Sequence, residues 1–135
     1  MKAGVDEWFA EYLAVFAACG RGERPAADVL AFYAIPLLLT SDDVAVSLGS
    51  TDEISSWVQG QVDGMLAAKY ADTVVLAGGT TTLNRNTALY RGEFSRRSRD
   101  GSEISTMTVT YLITGSPEER VISALVLHSA SDVQS

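Results

Sequence analysis

Helical periodicity is confined to the N-terminal half of the chain, and strand-like alternation with turn signals fills the rest. Apolar residues recur at helical spacing over Val5–Cys19, and a second helix is predicted over about Ala26–Ala34, between two prolines. A third helix is predicted over Ser50–Tyr70, because Ser50 and Glu53 form a capping-box pattern. Helices that precede strands, rather than alternate with them, indicate an α+β fold.

The predicted strands are short and separated by glycine-, asparagine- and proline-containing turns. Asp100-Gly101 is a strong hairpin signal, and Gly78-Gly79 predicts a bulge or bend. The strand segments are Leu37–Leu39, Val44–Leu48, Thr73–Leu76, Thr80–Leu83, Thr87–Arg97, Ser102–Thr114 and Val121–His128. These segments predict an antiparallel meander, within a single domain over residues 1–135 that ends in a polar tail from 129 to 135.

The last predicted strand is apolar on both faces. Val121, Leu125 and Leu127 alternate with Ile122, Ala124 and Val126. A strand of this kind requires cover on both sides of its sheet, and three helices can cover only one side. We therefore expect a homodimer in which a second copy covers the other face, the one that carries the threonines Thr106, Thr108 and Thr110.

Composition excludes several classes of function. The chain of 135 residues has a net charge of -7, which argues against nucleic acid or an anionic membrane as the main partner. One cysteine and one histidine cannot build an intrachain disulfide, a zinc site or a histidine-rich metal site. No phosphate-binding loop is present, so we expect no cofactor. The apolar runs are too short to span a bilayer and no signal peptide is evident, so a cytoplasmic location is expected.

Several stretches resemble one fold family. They are Phe32-Tyr33-Ala34 before Leu37-Leu38-Leu39, Gly49 with Asp52-Glu53-Ile54-Ser55-Ser56-Trp57, and Arg99-Asp100-Gly101 before Thr110-Tyr111-Leu112. With the order of elements, they resemble the nuclear transport factor 2-like superfamily, which includes SnoaL-like polyketide cyclases, ketosteroid isomerases and scytalone dehydratases. The resemblance implies a cone-shaped roll of three N-terminal helices on a strongly curved antiparallel sheet, with a pocket inside and frequent dimerisation through the sheet.

The resemblance also carries candidate catalytic residues. Tyr12 is similar in place to the oxyanion-donating tyrosine of isomerase-like members, and Tyr33 to the tyrosine that supports it. The catalytic carboxylate of those members falls at Thr40 or Ser41, beside Asp42. Their third tyrosine corresponds to Val58, and their carboxylic acid donor falls near Thr108 or Val109, so the isomerase set is incomplete.

Two titratable residues are candidates for proton transfer. His128 is the only histidine and has the parity of Ile122, Ala124 and Val126, so it would reach the pocket mouth if that face lines the cone. The alternative is a surface histidine at a strand end. Asp42 could act as a base if buried beside aromatic rings, whereas the alternative is a polar loop or edge-strand kink.

A set of aromatic and neighbouring side chains could line a cavity for a flat, apolar ligand. The predicted ligand-binding residues are Tyr12, Phe16, Tyr33, Trp57, Gln61, Tyr90, Met107, Tyr111 and His128. An aromatic core is the alternative. Arg96, Arg97 and Arg99 cluster at a predicted hairpin tip, where they could recognise an anion or form a solvated turn.

Three functions remain open from the sequence. The first is a dimer that binds a small apolar or aromatic molecule without catalysis. The second is a cofactor-independent isomerase, dehydratase or cyclase that uses His128 or Asp42 with Tyr12. The third is a protein-interaction module that uses the open face of the sheet.

Overall fold

The computed structural model describes residues 4–129, so most of the predicted polar tail lies outside the described residues. Helix α1 spans Val5–Gly20, a 3₁₀ helix spans Ala26–Phe32, and helix α2 spans Thr51–Ala67. In this part of the chain, no helix is long and apolar enough to cross a membrane. The three helical segments precede most of the strands, as the sequence predicted.

The strands form one sheet of six. They are β1 Tyr33–Thr40, β2 Ala45–Leu48, β3 Tyr70–Asn84, β4 Thr87–Ser98, β5 Glu103–Thr114 and β6 Val121–Leu127, in the order β2-β1-β6-β5-β4-β3. The α+β class is confirmed. The sheet is mixed rather than purely antiparallel, because β1 returns beside β6 and pairs with it in parallel.

The second helix is shorter than predicted, because its predicted end belongs to a strand. Tyr33 starts β1 and lies opposite Ile122 in the ladder with β6. Pro36 lies inside β1, where its fixed φ suits an extended chain. Tyr33 is thus held by the sheet and not by a helix end, and its side chain is buried against α1.

Helix α2 begins as predicted and ends earlier. The Ser50 hydroxyl accepts a hydrogen bond from the Glu53 N–H at 3.2 Å, and the Glu53 carboxylate accepts one from the Gly49 N–H at 2.9 Å. The helix ends at Ala67, and Lys69 takes a left-handed turn with φ 58°. Tyr70 then opens β3, which runs as one long strand through the predicted Gly78-Gly79 bend.

An irregularity in β6 changes which of its residues face the helices. Ile122 pairs with Ile113, but the register with β5 then shifts, so Leu125 pairs with Tyr111 and Leu127 with Val109. Ser123 is the extra residue, and it inverts the alternation that the sequence suggested. Leu125 and Leu127 now follow Ile122 on the helix-facing side, and Ala124 and Val126 lie on the other.

The core lies between the helices and one face of the sheet. Phe9, Val29, Ile54 and Val58 of the helical segments are at most 2% exposed, as is Ile122 of the sheet. The opposite face carries exposed apolar side chains, including those of Leu38 and Val126. The fold therefore places an aromatic interior against α1 and leaves apolar side chains exposed on the outer face.

Candidate functional site

An aromatic cluster fills one end of the space between α1 and the sheet. The Phe9 ring stacks on Tyr90 with centroids 4.0 Å apart and meets Tyr111 edge-on at 4.7 Å. Phe94 packs edge-on against Tyr111 at 6.4 Å. Gly92 lies between Tyr90 and Phe94 on β4, and an added Cβ there would come within 2.4 Å of the Phe94 ring. This end of the interior is closed by ring-to-ring packing.

Two hydroxyl groups meet inside this aromatic surrounding. The Tyr12 and Tyr33 hydroxyl oxygens are 2.7 Å apart, and the two side chains are 2% and 5% exposed. Burial, the neighbouring Tyr33 charge and the hydrogen bond to Tyr33 raise the pKa of Tyr12 well above its usual value. Burial also raises the pKa of Tyr33. The tyrosine pair, Tyr12 and Tyr33, is therefore a neutral hydrogen-bonding unit at physiological pH.

The other end of the interior is open and forms a cavity of about 940 Å³. All six strands and both α-helices contribute to its wall. Of the predicted ligand-binding residues, seven border it: Tyr12, Phe16, Trp57, Gln61, Met107, Tyr111 and His128. The volume falls in the range of small-molecule sites in proteins. Most of the aromatic set therefore does meet around one space.

Two predicted ligand-binding residues lie behind this wall. Tyr33 does not border the cavity but supports two residues that do, Tyr12 by its hydrogen bond and Trp57 by an edge-on ring contact at 5.8 Å. Tyr90 belongs to the closed aromatic end, stacked on Phe9. Both alternatives of the sequence analysis thus hold in part, because the aromatic residues divide between core and cavity wall.

The rim of the cavity is the loop Thr40–Val44 together with His128 and Ser129. Asp42 lies on this exposed loop, and its carboxylate accepts a hydrogen bond from the Ser129 hydroxyl. Asp42 is therefore not buried beside aromatic rings, which was the condition for its use as a strong base. Asp42 instead matches the alternative interpretation, a residue of a polar loop.

His128 borders the rim, but its imidazole is directed to the other face of the sheet. Its Nε2 lies 2.7 Å from the Thr110 hydroxyl. Thr110 leaves β5 on the face opposite to that of Val109 and Tyr111. The shift at Ser123 is the cause, since it moves His128 out of the row that faces α1. His128 therefore lies at the predicted mouth of the pocket, while its imidazole bonds to a threonine on the face that points away from α1.

The sequence analysis assigned Arg96 to a predicted hairpin tip, whereas the structure places it in the cavity wall. Arg96 borders the cavity, and its guanidinium carbon lies 5.9 Å from the centre of the Phe16 ring. Arg97 points the other way and donates to the Ser95 hydroxyl at 2.6 Å. The alternation of β4 indicates this position, because Arg96 has the same parity as Tyr90 and Phe94, whose side chains face α1.

Metal and thiol chemistry find no support in residues 4–129. No group of three or more His, Cys, Asp or Glu side chains is placed to hold a metal ion in that range. The Cys19 thiol is buried and donates to the Pro25 carbonyl at 3.3 Å. Burial raises the pKa of this thiol, so it stays protonated and packs as a small apolar group.

Comparison with known families identifies the chain. A family model described as NTF2-like protein (DUF6841) matches residues 2–130. The chain belongs to this family. The resemblance to the nuclear transport factor 2-like superfamily is thereby confirmed. No curated protein sequence matches the chain.

Solved structures support the same fold. An NTF-2 like protein of unknown function from Shewanella oneidensis has a TM-score of 0.69 at 14% identity, covering 92% of this chain and 98% of that one. A candidate ketosteroid isomerase from Parabacteroides distasonis has a TM-score of 0.65 at 7% identity over 96% and 91%. The yeast UBP3-associated protein BRE5 has a TM-score of 0.67 at 13% identity over 93% and 95%. At these identities the likeness concerns the fold alone.

Proposed function

We propose that the protein binds a small apolar or aromatic molecule in the cavity between its helices and its sheet. The observation that carries this proposal is the cavity itself, about 940 Å³ in volume and bordered by Phe16, Trp57 and Met107. A void of this size with an apolar wall is costly to keep unless function requires it. Gln61 and the Tyr12 hydroxyl supply the polar contacts that would orient a ligand.

The two tryptophans offer a matched test of binding. Trp57 borders the cavity, whereas Trp8 packs on Phe32 at 5.6 Å and is absent from the wall. The probe is N-phenyl-1-naphthylamine, a neutral molecule whose emission rises in apolar sites. Trp57→Ala removes about 60 Å² of ligand contact, which corresponds to about tenfold weaker binding. We expect this loss for Trp57→Ala and less than a twofold change for Trp8→Ala. Equal effects of the two substitutions, or no binding to the wild type, would contradict the proposal.

Isomerisation of an unsaturated ketone is a second candidate function, and the tyrosine pair favours it. With Tyr33 donating to Tyr12, the Tyr12 hydroxyl hydrogen is free to be donated to a substrate carbonyl oxygen. Asp42 is exposed but borders the same cavity, and its carboxylate would remove the α-proton and return it to the γ-carbon, so that no net proton is consumed.

Turnover of a β,γ-unsaturated ketone, followed by the absorbance of its conjugated product, tests this candidate. Tyr12→Phe and Asp42→Asn should each lower kcat about a hundredfold, and Asp43→Asn, on the same loop, should not. His128→Ala tests the histidine as an alternative base. The absence of turnover by the wild type, or turnover that Tyr12→Phe leaves unchanged, would reject the isomerase function and leave the binding function standing.

We also propose that the protein is a homodimer built on the outer face of the sheet. Leu38 and Val126 are 43% and 37% exposed there, beside the threonines of β5. Val126→Asp should give a monomer in light scattering at micromolar concentration, because an interface charge without a partner is costly.

Leu83→Asp, at an exposed position at the end of β3, is the control and should leave the dimer intact. A wild-type monomer would contradict the dimer; a wild-type monomer that binds another protein through this face would instead favour an interaction module.

The partners and location proposed are those of a small-molecule-binding protein. The net charge of -7 opposes contact with nucleic acid or an anionic membrane. We propose a cytoplasmic location, where the single thiol of Cys19 remains reduced.

A further inference from the structure

Arg96 is a cation held in an otherwise largely apolar wall. It is half-buried near the end of β4, two residues beyond the buried Phe94 and on the same face. Its guanidinium carbon lies 5.9 Å from the centre of the Phe16 ring. This contact fixes the planar group against the wall and leaves its peripheral N–H groups available for hydrogen bonds.

Arg96 has no carboxylate partner within residues 4–129. The ion pairs described there join Arg21 to Glu23 and Arg24 to Asp28. Asp42, Asp43 and Glu93 also border the cavity, but none of their carboxylates lies within 4.0 Å of the guanidinium. A partly desolvated cation that lacks a counter-ion gains more from an incoming anion than an exposed arginine does.

The charge of Arg96 acts on the polar groups at the inner end of the cavity. It lowers the pKa values of Tyr12, Tyr33 and Tyr111, against the larger rise that burial causes. The tyrosine and cysteine side chains that also act on these three hydroxyl groups are neutral at physiological pH, whereas Arg96 carries a charge. Tyr12 and Arg96 thus border the same cavity, and the positive charge of Arg96 acts on the Tyr12 hydroxyl.

We propose that the ligand of this cavity is an apolar or aromatic carboxylate, with Arg96 as its counter-ion and the Tyr12 hydroxyl as a further donor. The inference rests on the proposed binding function and specifies its ligand class. The carboxylate accepts hydrogen bonds from the guanidinium, and the apolar body lies along Phe16, Trp57 and Met107. Arg96 is a specificity-determining residue in this account, since it selects acids over neutral molecules of the same shape.

Two probes of equal shape separate charge from apolar contact. These are 2-naphthoate, which is ionised at pH 7.5, and the neutral 2-naphthamide; their dissociation constants are measured by titration calorimetry. The wild type should bind 2-naphthoate about tenfold more tightly or better, as expected for a charge-assisted pair. Arg96→Gln should abolish this preference and leave 2-naphthamide binding within twofold. Arg91→Gln, an exposed position on the opposite face of β4, is the matched control and should keep it.

The outcomes distinguish the inference from the function on which it rests. Equal affinity of the wild type for the two probes, or a preference that survives in Arg96→Gln, would overturn the role of Arg96 and leave the binding function intact. If neither probe binds the wild type, both proposals fail. Unchanged 2-naphthamide binding also shows that the Arg96→Gln cavity is folded, so a lost preference cannot come from unfolding.

Discussion

The tyrosine pair and the rim of the cavity are both polar, but only the first is removed from water. Tyr12 and Tyr33 are 2% and 5% exposed and share one hydrogen bond of 2.7 Å inside a shell of rings. Asp42 at the rim is exposed and makes its side-chain contact with Ser129, near the end of the described chain. A hydrogen bond is stronger in a buried place, where no water competes for the donor and the acceptor.

The difference indicates where ligand specificity arises. Buried hydroxyl groups keep a fixed geometry and a neutral state, so they can orient a ligand without reorganising. Rim groups are screened and exchange partners with water, so they affect entry more than affinity. The residues that the sequence marked for proton chemistry, Asp42 and His128, lie at the rim, whereas Arg96 lies in the wall. The four predictions below test this contrast.

Removal of a ring from the closed end should give the largest effect. Phe9 is 1% exposed and contacts Tyr12, Tyr90 and Tyr111. Phe9→Ala should lower the free energy of unfolding by about 3–5 kcal/mol, through lost burial and a cavity that the sheet cannot close. Urea titration followed by circular dichroism measures this. Leu83→Ala at a 53% exposed position should change it by about 0.5 kcal/mol or less, and comparable losses would contradict the assignment of the core.

Removal of one hydroxyl from the tyrosine pair should have an intermediate effect. Tyr33→Phe keeps the ring and takes away the partner of the Tyr12 hydroxyl, which should cost about 1–2 kcal/mol of unfolding free energy. Ser129→Ala removes a rim hydrogen bond and should cost about 0.5 kcal/mol or less. Equal losses of unfolding free energy in the two variants would show that burial does not strengthen the hydrogen bond of the tyrosine pair.

Alkaline pH should destabilise the protein through the same hydroxyl groups. Burial raises the pKa values of Tyr12, Tyr33 and Tyr111, whereas in the unfolded chain tyrosines lose their protons near about pH 10. Their contribution to stability is complete below that pH and is lost as the pH rises above it, because only the unfolded state ionises. Urea unfolding between about pH 8 and 11 should show this fall, less steep in Tyr33→Phe. An unfolding free energy that does not change over this pH range would contradict the burial of the three tyrosine hydroxyl groups.

Substitution of the histidine at the rim should have the smallest effect. His128 bonds to Thr110 on the outer face, so His128→Ala should change the affinity for N-phenyl-1-naphthylamine by less than about threefold. A loss comparable to that of Trp57→Ala would place the imidazole inside the cavity after all. The same titration on both variants decides between these outcomes.

The sequence predicted the fold well because its signals were local. Helical spacing in α1, the cap at Ser50 and the alternation in β4 each depend on neighbouring residues. The site was predicted less completely. The parallel return of β1 beside β6 and the extra residue at Ser123 are non-local features, and a single inserted residue moves a side chain to the other face. The face on which His128 lies was predicted wrongly for this reason, whereas Arg96 was assigned to a hairpin tip although the strand alternation already placed it on the inner face.

The central claim is that small molecules enter the cavity beside the tyrosine pair, and methionine methyl NMR tests it most directly. Met107 borders the cavity, whereas Met65 is buried against Gly20 and Tyr70, away from the wall. With methyl-labelled methionine and the Met107→Leu variant for assignment, addition of N-phenyl-1-naphthylamine should shift the Met107 signal and leave Met65 in place. A probe that binds without moving Met107, or that moves only Met65, would show that ligands bind elsewhere and would contradict the account.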